Sequence, residues 1–528
     1  MVLKSNYEWS VFKMNIYQWT KTNYKVPTYN NKLDFSQEIQ DIVKELLYGE
    51  YQVIRVNSLA GTGKTTLLNI LSKYYVAKHE AERGNLHYKN PDVLYLAYST
   101  RLKEETSNLF DSQITCKSII ELAKEYATRY KNSSNYSYMD EYKPEIFIHY
   151  FKIEYNIALD ISKILNNWLN SYDIEEGIQN YAYGSTMSSQ AAILAHTYVT
   201  DTRCFSEGTY ITDKFILKEF QLQLRHNEEM ILQNELDLLL VNEGQDLSDA
   251  ALYIFVNFPA KKKVIVGDTN QKIYPHVSTK NALLKDIENS VEYHLTASYR
   301  HSENVVLNAN NILKTYKGSK YFIESKQEQK LSQVRPNGYI YRWPSGALEG
   351  LIIAKNANVE SLELNDDVWF LLEFILSLEL VDNRKKPIDR VSKVINFVKI
   401  NRDEENDEIG LVEYIKSYIP NELFKGRLAQ AYFVLKKYDM ETINSLYVYL
   451  KGCKYNPSMP VTTITSVFKS KGFEFENIII LKDMTDLAKV VADYFILTKQ
   501  TYKKGEKFDY IDFFGEYINT KETGGFDS

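Results

Sequence analysis

In the first half of this chain, short solid apolar blocks break off abruptly into polar clusters. Val53, Ile54 and Val56 form a β-branched run that stops at a loop of small residues, Ser58-Leu59-Ala60-Gly61-Thr62-Gly63-Lys64-Thr65. Beyond the loop, Leu67, Ile70, Leu71 and Tyr74 recur at helical spacing, so the pattern predicts strand, loop, helix. Leu238–Val241 is a second solid block, as expected of a strand in a parallel sheet covered on both faces. It ends in Asn242, Glu243, Gln245 and Asp246. Val264–Val266 is a third, running into Gly267, Asp268, Asn270 and Gln271. Taken singly, each polar cluster reads as helix capping after a strand. Together, three buried strands with polar carboxyl ends predict a doubly wound α/β domain with a crevice at those ends. The most apolar run of the chain, Val368–Val381, is short and carries Glu373 and Glu379. It predicts a packed helix and not a membrane span.

The loop after the first strand has a definite chemistry. Glycines let backbone N–H groups turn inward around a polyphosphate, and the following helix offers its positive N-terminal end. Lys64 supplies a mobile charge for the β- and γ-phosphates, and the Thr65 hydroxyl is placed to ligate Mg²⁺. Ala60, Gly61, Thr62, Gly63, Lys64, Thr65 and Thr66 are therefore the expected nucleotide-binding residues, with ATP and Mg²⁺ as expected cofactors. The loop departs from GxxxxGK[ST] in one place: Ser58 stands where the first Gly would be.

Composition narrows the class. At 528 residues the chain is too long for one core, and typical domain sizes suggest roughly three or four. A net charge of −6 gives no general attraction to nucleic acid, so any such face must come from local asymmetry. Cys116, Cys204 and Cys453 lie far apart and form no CxxC pair, which suits a reducing compartment and excludes a cysteine-rich zinc module. Residues 1–20 mix Lys4, Glu8, Lys13 and Trp19 with apolar residues, giving no secretory apolar core. The expected location is intracellular, nuclear in a eukaryote and otherwise cytoplasmic. There is no internal repeat, and Asn401–Glu408 reads as a charged, solvated loop.

The order Gly61–Thr65, Asn242–Asp246, Gly267–Tyr274 resembles the UvrD-like superfamily 1 DNA helicases, whose motifs run AGTGKT, DEAQD and GDxxQxIY. Further segments fall in sequence. Leu94–Arg101 resembles the strand after the first helix, and Thr115–Ser118 a T-x-H-S element. Leu295–Glu303 resembles the fourth motif, Ser466–Phe475 the fifth, TxHxxKGLEF, and Tyr494–Gln500 the sixth, YVALTRA. Lys163–Ser171, Ile211–Leu222, Asn281–Leu283 and Ala354–Val359 are similar to the F-box DNA helicase branch, although the N-terminal segment shows no F-box. The likeness spans roughly residues 35–505.

The resemblance implies roles. Lys64 and Thr65 hold phosphates and metal, Glu243 polarises the attacking water, Gln271 senses the γ-phosphate, and Arg300 arrives from a second domain to stabilise the transferred phosphoryl. Such an arginine contributes roughly a thousandfold or more to rate. Tyr274 and His276 sit where the family stacks bases, and Lys469 and Lys471 are candidates for DNA phosphates. The departures are equally specific. The first acid of DEAQD, which organises Mg²⁺, is Asn242; the histidines of the fifth motif and of T-x-H-S are Phe468 and Lys117; the sixth motif's arginine is Lys499, which keeps the charge but loses the planar fork.

The implied architecture is two RecA-like domains, each with a mainly helical insertion. Residues 1–34 form an extension. Residues 35–120 and 206–297 make the first domain around an insertion at 121–205, and 298–355 with 456–515 make the second around 356–455, leaving a tail at 516–528. The implied activity is that of an ATP-driven helicase or translocase on single-stranded DNA, 3′ to 5′, in repair or recombination, with weakened hydrolysis. The alternative is a pseudo-helicase that binds nucleotide or DNA as a scaffold.

Overall fold

The computed structural model describes residues 28–29, 32–33, 36–83, 90–127, 137–139, 141–172, 178, 189–204, 206–226, 235–272, 282–301, 303–326, 338–392, 395–396, 399, 409–417, 427–453, 461–467, 469–470 and 478–481. The chain divides into two compact units, Met1–Ala297 with Tyr321–Ile323, and Ser298–Lys320 with Glu324–Ser528.

The first unit is built on six strands: β1 (Val53–Ser58), β2 (Val93–Ala97), β3 (Thr115–Ser118), β4 (Leu236–Val241), β5 (Ala260–Gly267) and β6 (Ser290–Leu295). Their order is β6-β1-β5-β4-β2-β3, and every neighbouring pair is parallel. The solid apolar blocks are explained by side-chain alternation, since a strand covered on both faces needs apolar residues at odd and even positions alike. Ile54, Val56, Tyr95, Leu238, Leu240, Val264 and Val266 enter one core with helices α1 (Gln37–Tyr48) and α2 (Lys64–Arg83). Leu94, Leu96, Leu239, Val241 and Ile265 enter the other, on the opposite face. The expected stripe on α2 is present: Leu67, Ile70, Leu71 and Tyr74 are all buried. This is the α/β fold that the apolar pattern predicts.

The second core joins the sheet to helices at Ile119–Tyr126, Pro144–Phe151, Tyr155–Asn170, Ser189–Arg203 and Asp213–His226. Aromatic side chains fill it: Tyr198 meets Tyr142, Phe147 and Tyr150 edge-on, with centroids 5.7, 5.1 and 5.2 Å away. Edge-to-face geometry sets the positive ring edge against the negative face. A buried lysine is accommodated here as well. Lys218 Nζ donates to Ser171 O and Oγ at 3.2 and 2.9 Å, satisfying the end of the Tyr155–Asn170 helix.

The second unit has a sheet of four parallel strands in the spatial order Leu362–Leu364, Thr462–Ser466, Gly338–Tyr341, Ile478–Ile480. Helices at Ala347–Asn356, Asp366–Asp382 and Met440–Gly452 share its core. The apolar run Val368–Val381 lies in the helix Asp366–Asp382, with Val368, Leu372, Phe374 and Ile375 completely buried. Glu373 in that run faces Arg390 at 3.8 Å. Among the described residues no helix is long and apolar enough to cross a membrane.

Candidate nucleotide-binding site

β1, β5 and β4 are spatial neighbours and run in one direction, with Asn57 level with Gly267 and Val241 level with Ile265. Their carboxyl ends therefore bring the three polar clusters to one edge of the sheet. The small-residue loop leaves β1, Asn242–Asp246 follows β4, and Asp268–Gln271 follows β5.

Each loop residue has a local reason for its place. Gly61 and Gly63 have φ of 72° and 88°, a left-handed backbone that side chains disfavour. Ser58, at the position usually held by glycine, ends β1. Its hydroxyl lies 2.6 Å from Thr62 Oγ1, which donates its own proton to Leu59 O at 2.7 Å, so Ser58 is the donor. The substitution thus adds a brace inside the loop. Leu59 N donates to Leu295 O at 3.0 Å, tying the loop to β6. Helix α2 opens at Lys64, and its first bond runs from Leu67 N to Gly63 O at 2.8 Å. The N–H groups of an opening turn have no partner within their own helix, so the loop presents donors where an anion would lie.

Beyond β4, Glu243 adopts φ 57° and ψ 42°, rare for a side chain with a Cβ. Neighbours hold it there: Glu243 N donates to Asn242 Oδ1 at 3.0 Å, and Gln245 Nε2 donates to Glu243 Oε2 at 2.5 Å. Glu243 Oε1 lies 4.0 Å from Lys64 Nζ, both side chains being mostly buried. Gln245 also links the second cluster to the third, its Oε1 accepting from Asp268 N at 3.0 Å. That approach needs Gly267, where a Cβ would stand 2.2 Å from the Gln245 Oε1. Asp268 Oδ1 in turn accepts from Asn270 N at 2.9 Å, starting the short turn that buries Gln271.

Asn242 is completely buried. Its Nδ2 donates to Thr65 Oγ1 at 3.1 Å and to Tyr95 OH at 3.2 Å. Burial pushes the Tyr95 hydroxyl up to about 12, against the pull of its hydrogen bonds to Thr106 and Asn242, so it stays neutral. A P-loop usually pairs its nucleotide with Mg²⁺, and the donor set here fits that ion poorly. The hydroxyl expected to ligate it already accepts from an amide N–H, and Asn242 offers no carboxylate beside it.

Three residues of this network carry roles that no motif of the chain assigns. Tyr95 was one tyrosine among 42; the signal was its place inside a fully apolar strand. Asn57 clasps Thr269, accepting from its N at 3.2 Å and donating from Nδ2 to its Oγ1 at 3.1 Å. A polar side chain in the penultimate position of a buried strand marked it. Gln245 was visible in the cluster, yet its bridging needs the strand order to be known.

The site residues expected outside the first unit are located separately. Arg300 lies within a turn of the second unit in which Ser298 Oγ lies 3.0 Å from His301 Nδ1 and accepts from Arg300 N at 3.4 Å. Lys469 lies just beyond the strand Thr462–Ser466 and donates to Asp367 at 3.0 Å, an exposed pair of small energetic weight. Tyr274, His276, Phe468, Lys471 and Lys499 lie outside the described residues.

Comparison with known families adds one match. Residues 44–276 fit a family model described as an AAA domain, which takes in the loop and both carboxyl-end clusters. The match likens these residues to a helicase-related P-loop family of the UvrD-like kind and supports no finer member of it. No curated protein matches the chain.

Proposed function

We propose that this chain is a UvrD-like, ATP-dependent helicase or translocase on single-stranded DNA whose hydrolysis is weakened. The observation that carries the reading is the meeting of three polar clusters at the carboxyl ends of β1, β5 and β4, around a complete Lys64–Thr65 loop. In this reading Lys64 and the loop N–H groups hold the phosphates. Glu243 takes the water proton or orients the water, with Gln245 fixing its carboxylate. Gln271, in the turn after β5, reports the γ-phosphate, and Arg300 supplies positive charge to the transferred phosphoryl. Tyr274, His276, Lys469 and Lys471 are the proposed DNA contacts, and Lys499 a further phosphate contact. Movement 3′ to 5′, a role in repair or recombination, and likeness to the F-box helicase branch rest on the resemblance alone.

A specific observation favours a second reading. Asn242 donates to Thr65, which suits a scaffold that holds nucleotide or DNA without effective turnover. The helicase and a DNA-holding scaffold both require DNA. Filter-binding titrations should show single-stranded DNA retained at low salt, with log affinity falling linearly as log salt rises, because bound lysines displace counterions from phosphates. Absence of binding at low salt would sink those two together and leave the nucleotide-binding scaffold.

A further inference from the structure

We propose that this site binds its nucleotide with little dependence on Mg²⁺, because Asn242 turns amide hydrogens toward the Thr65 hydroxyl. The inference rests on the reading of the loop as a nucleotide site. The orientation of the Asn242 amide is fixed from its other end. Its Oδ1 accepts the Glu243 N–H at 3.0 Å, and a half-turn of the amide would set its NH₂ group against that N–H. Glu243 cannot readily leave, since its left-handed backbone is braced through Gln245 and through the Asp246 N to Glu243 O bond of 3.0 Å. Nδ2 therefore stays 3.1 Å from Thr65 Oγ1 and 3.2 Å from Tyr95 OH, in a completely buried position.

That placement reverses the usual polarity beside the threonine. Mg²⁺ demands near-ideal octahedral oxygen coordination and gives up water reluctantly, so it gains most where a carboxylate orders its shell. Here the neighbouring group is a hydrogen-bond donor, which occupies a lone pair of the threonine oxygen and repels a cation. The Glu243 carboxylate is committed elsewhere, Oε2 to Gln245 at 2.5 Å and Oε1 toward Lys64 at 4.0 Å. What remains for the phosphates is Lys64 and the N–H groups of the loop and of the opening turn of α2, and all of these are donors. Donors bind a bare polyphosphate directly and need no metal to bridge them.

The test is titration of a fluorescent ATP analogue onto the full chain, once with Mg²⁺ and once with excess EDTA. The two affinities should agree within about threefold. Asn242→Asp should bind more weakly in EDTA, where a bare carboxylate faces the phosphates, and Mg²⁺ should tighten that variant by about tenfold or more. Tightening of the wild-type protein by about tenfold or more on adding Mg²⁺ would overturn the inference and leave the nucleotide site standing. Failure to bind under either condition would overturn the site and the inference together. The wild-type comparison needs no variant, so misfolding of Asn242→Asp, read by circular dichroism, leaves that comparison decisive.

Discussion

Lys64→Ala should lower nucleotide affinity by roughly a hundredfold or more, the usual scale for removing one partner from a buried, hydrogen-bonded charge contact. The lysine begins α2 directly after the left-handed Gly63, so its ammonium reaches over the loop that would hold the phosphates. In the structure that ammonium lies 4.0 Å from Glu243 Oε1, and the polyphosphate would take over its charge. No other lysine or arginine is assigned to the phosphates from this loop, which is why the expected loss is large. Isothermal titration with ATP measures it. Unchanged affinity would mean that the loop is not the nucleotide site. The fold should survive, because α2 is anchored by its buried apolar residues Leu67, Leu68 and Leu71.

Glu243→Gln should separate binding from turnover. A positioned acid or base typically contributes 10²- to 10⁴-fold to rate, so steady-state phosphate release should fall by about that factor. Affinity for ATP should hold or improve, since a neutral amide repels the γ-phosphate less than a carboxylate does. The brace from Gln245 tolerates the change because the new side chain also offers an oxygen acceptor to Nε2. A variant that released phosphate at the wild-type rate would remove Glu243 from the chemistry and leave water activation to another group.

Much of the first unit was legible because its physics is local. A strand covered on both faces must be apolar at every position, so Leu238–Val241 and Val264–Val266 identified themselves. A loop needing two left-handed residues must place glycine at Gly61 and Gly63. What the pattern withheld is long-range. That β5 lies between β1 and β4, and so brings Gln245 to Asp268 and Asn57 to Thr269, depends on strand order. Sequence periodicity carries no strand order. Residue type alone marks Asn242 as a weakened metal ligand. Its orientation toward Thr65 depends on the Glu243 backbone, where the left-handed φ falls on a residue other than glycine and left no mark in the sequence. Ser58 departs from the loop pattern, and the brace to Thr62 accounts for it.

The most direct test of the account is the rate of ATP hydrolysis by the full chain with and without single-stranded DNA, at nucleotide concentrations that saturate the site. Slow release of phosphate that rises when DNA is added, and that Glu243→Gln abolishes, is the predicted result. Saturated nucleotide binding with no phosphate release in either condition would contradict an ATP-driven helicase, and would leave the chain as a nucleotide-holding scaffold.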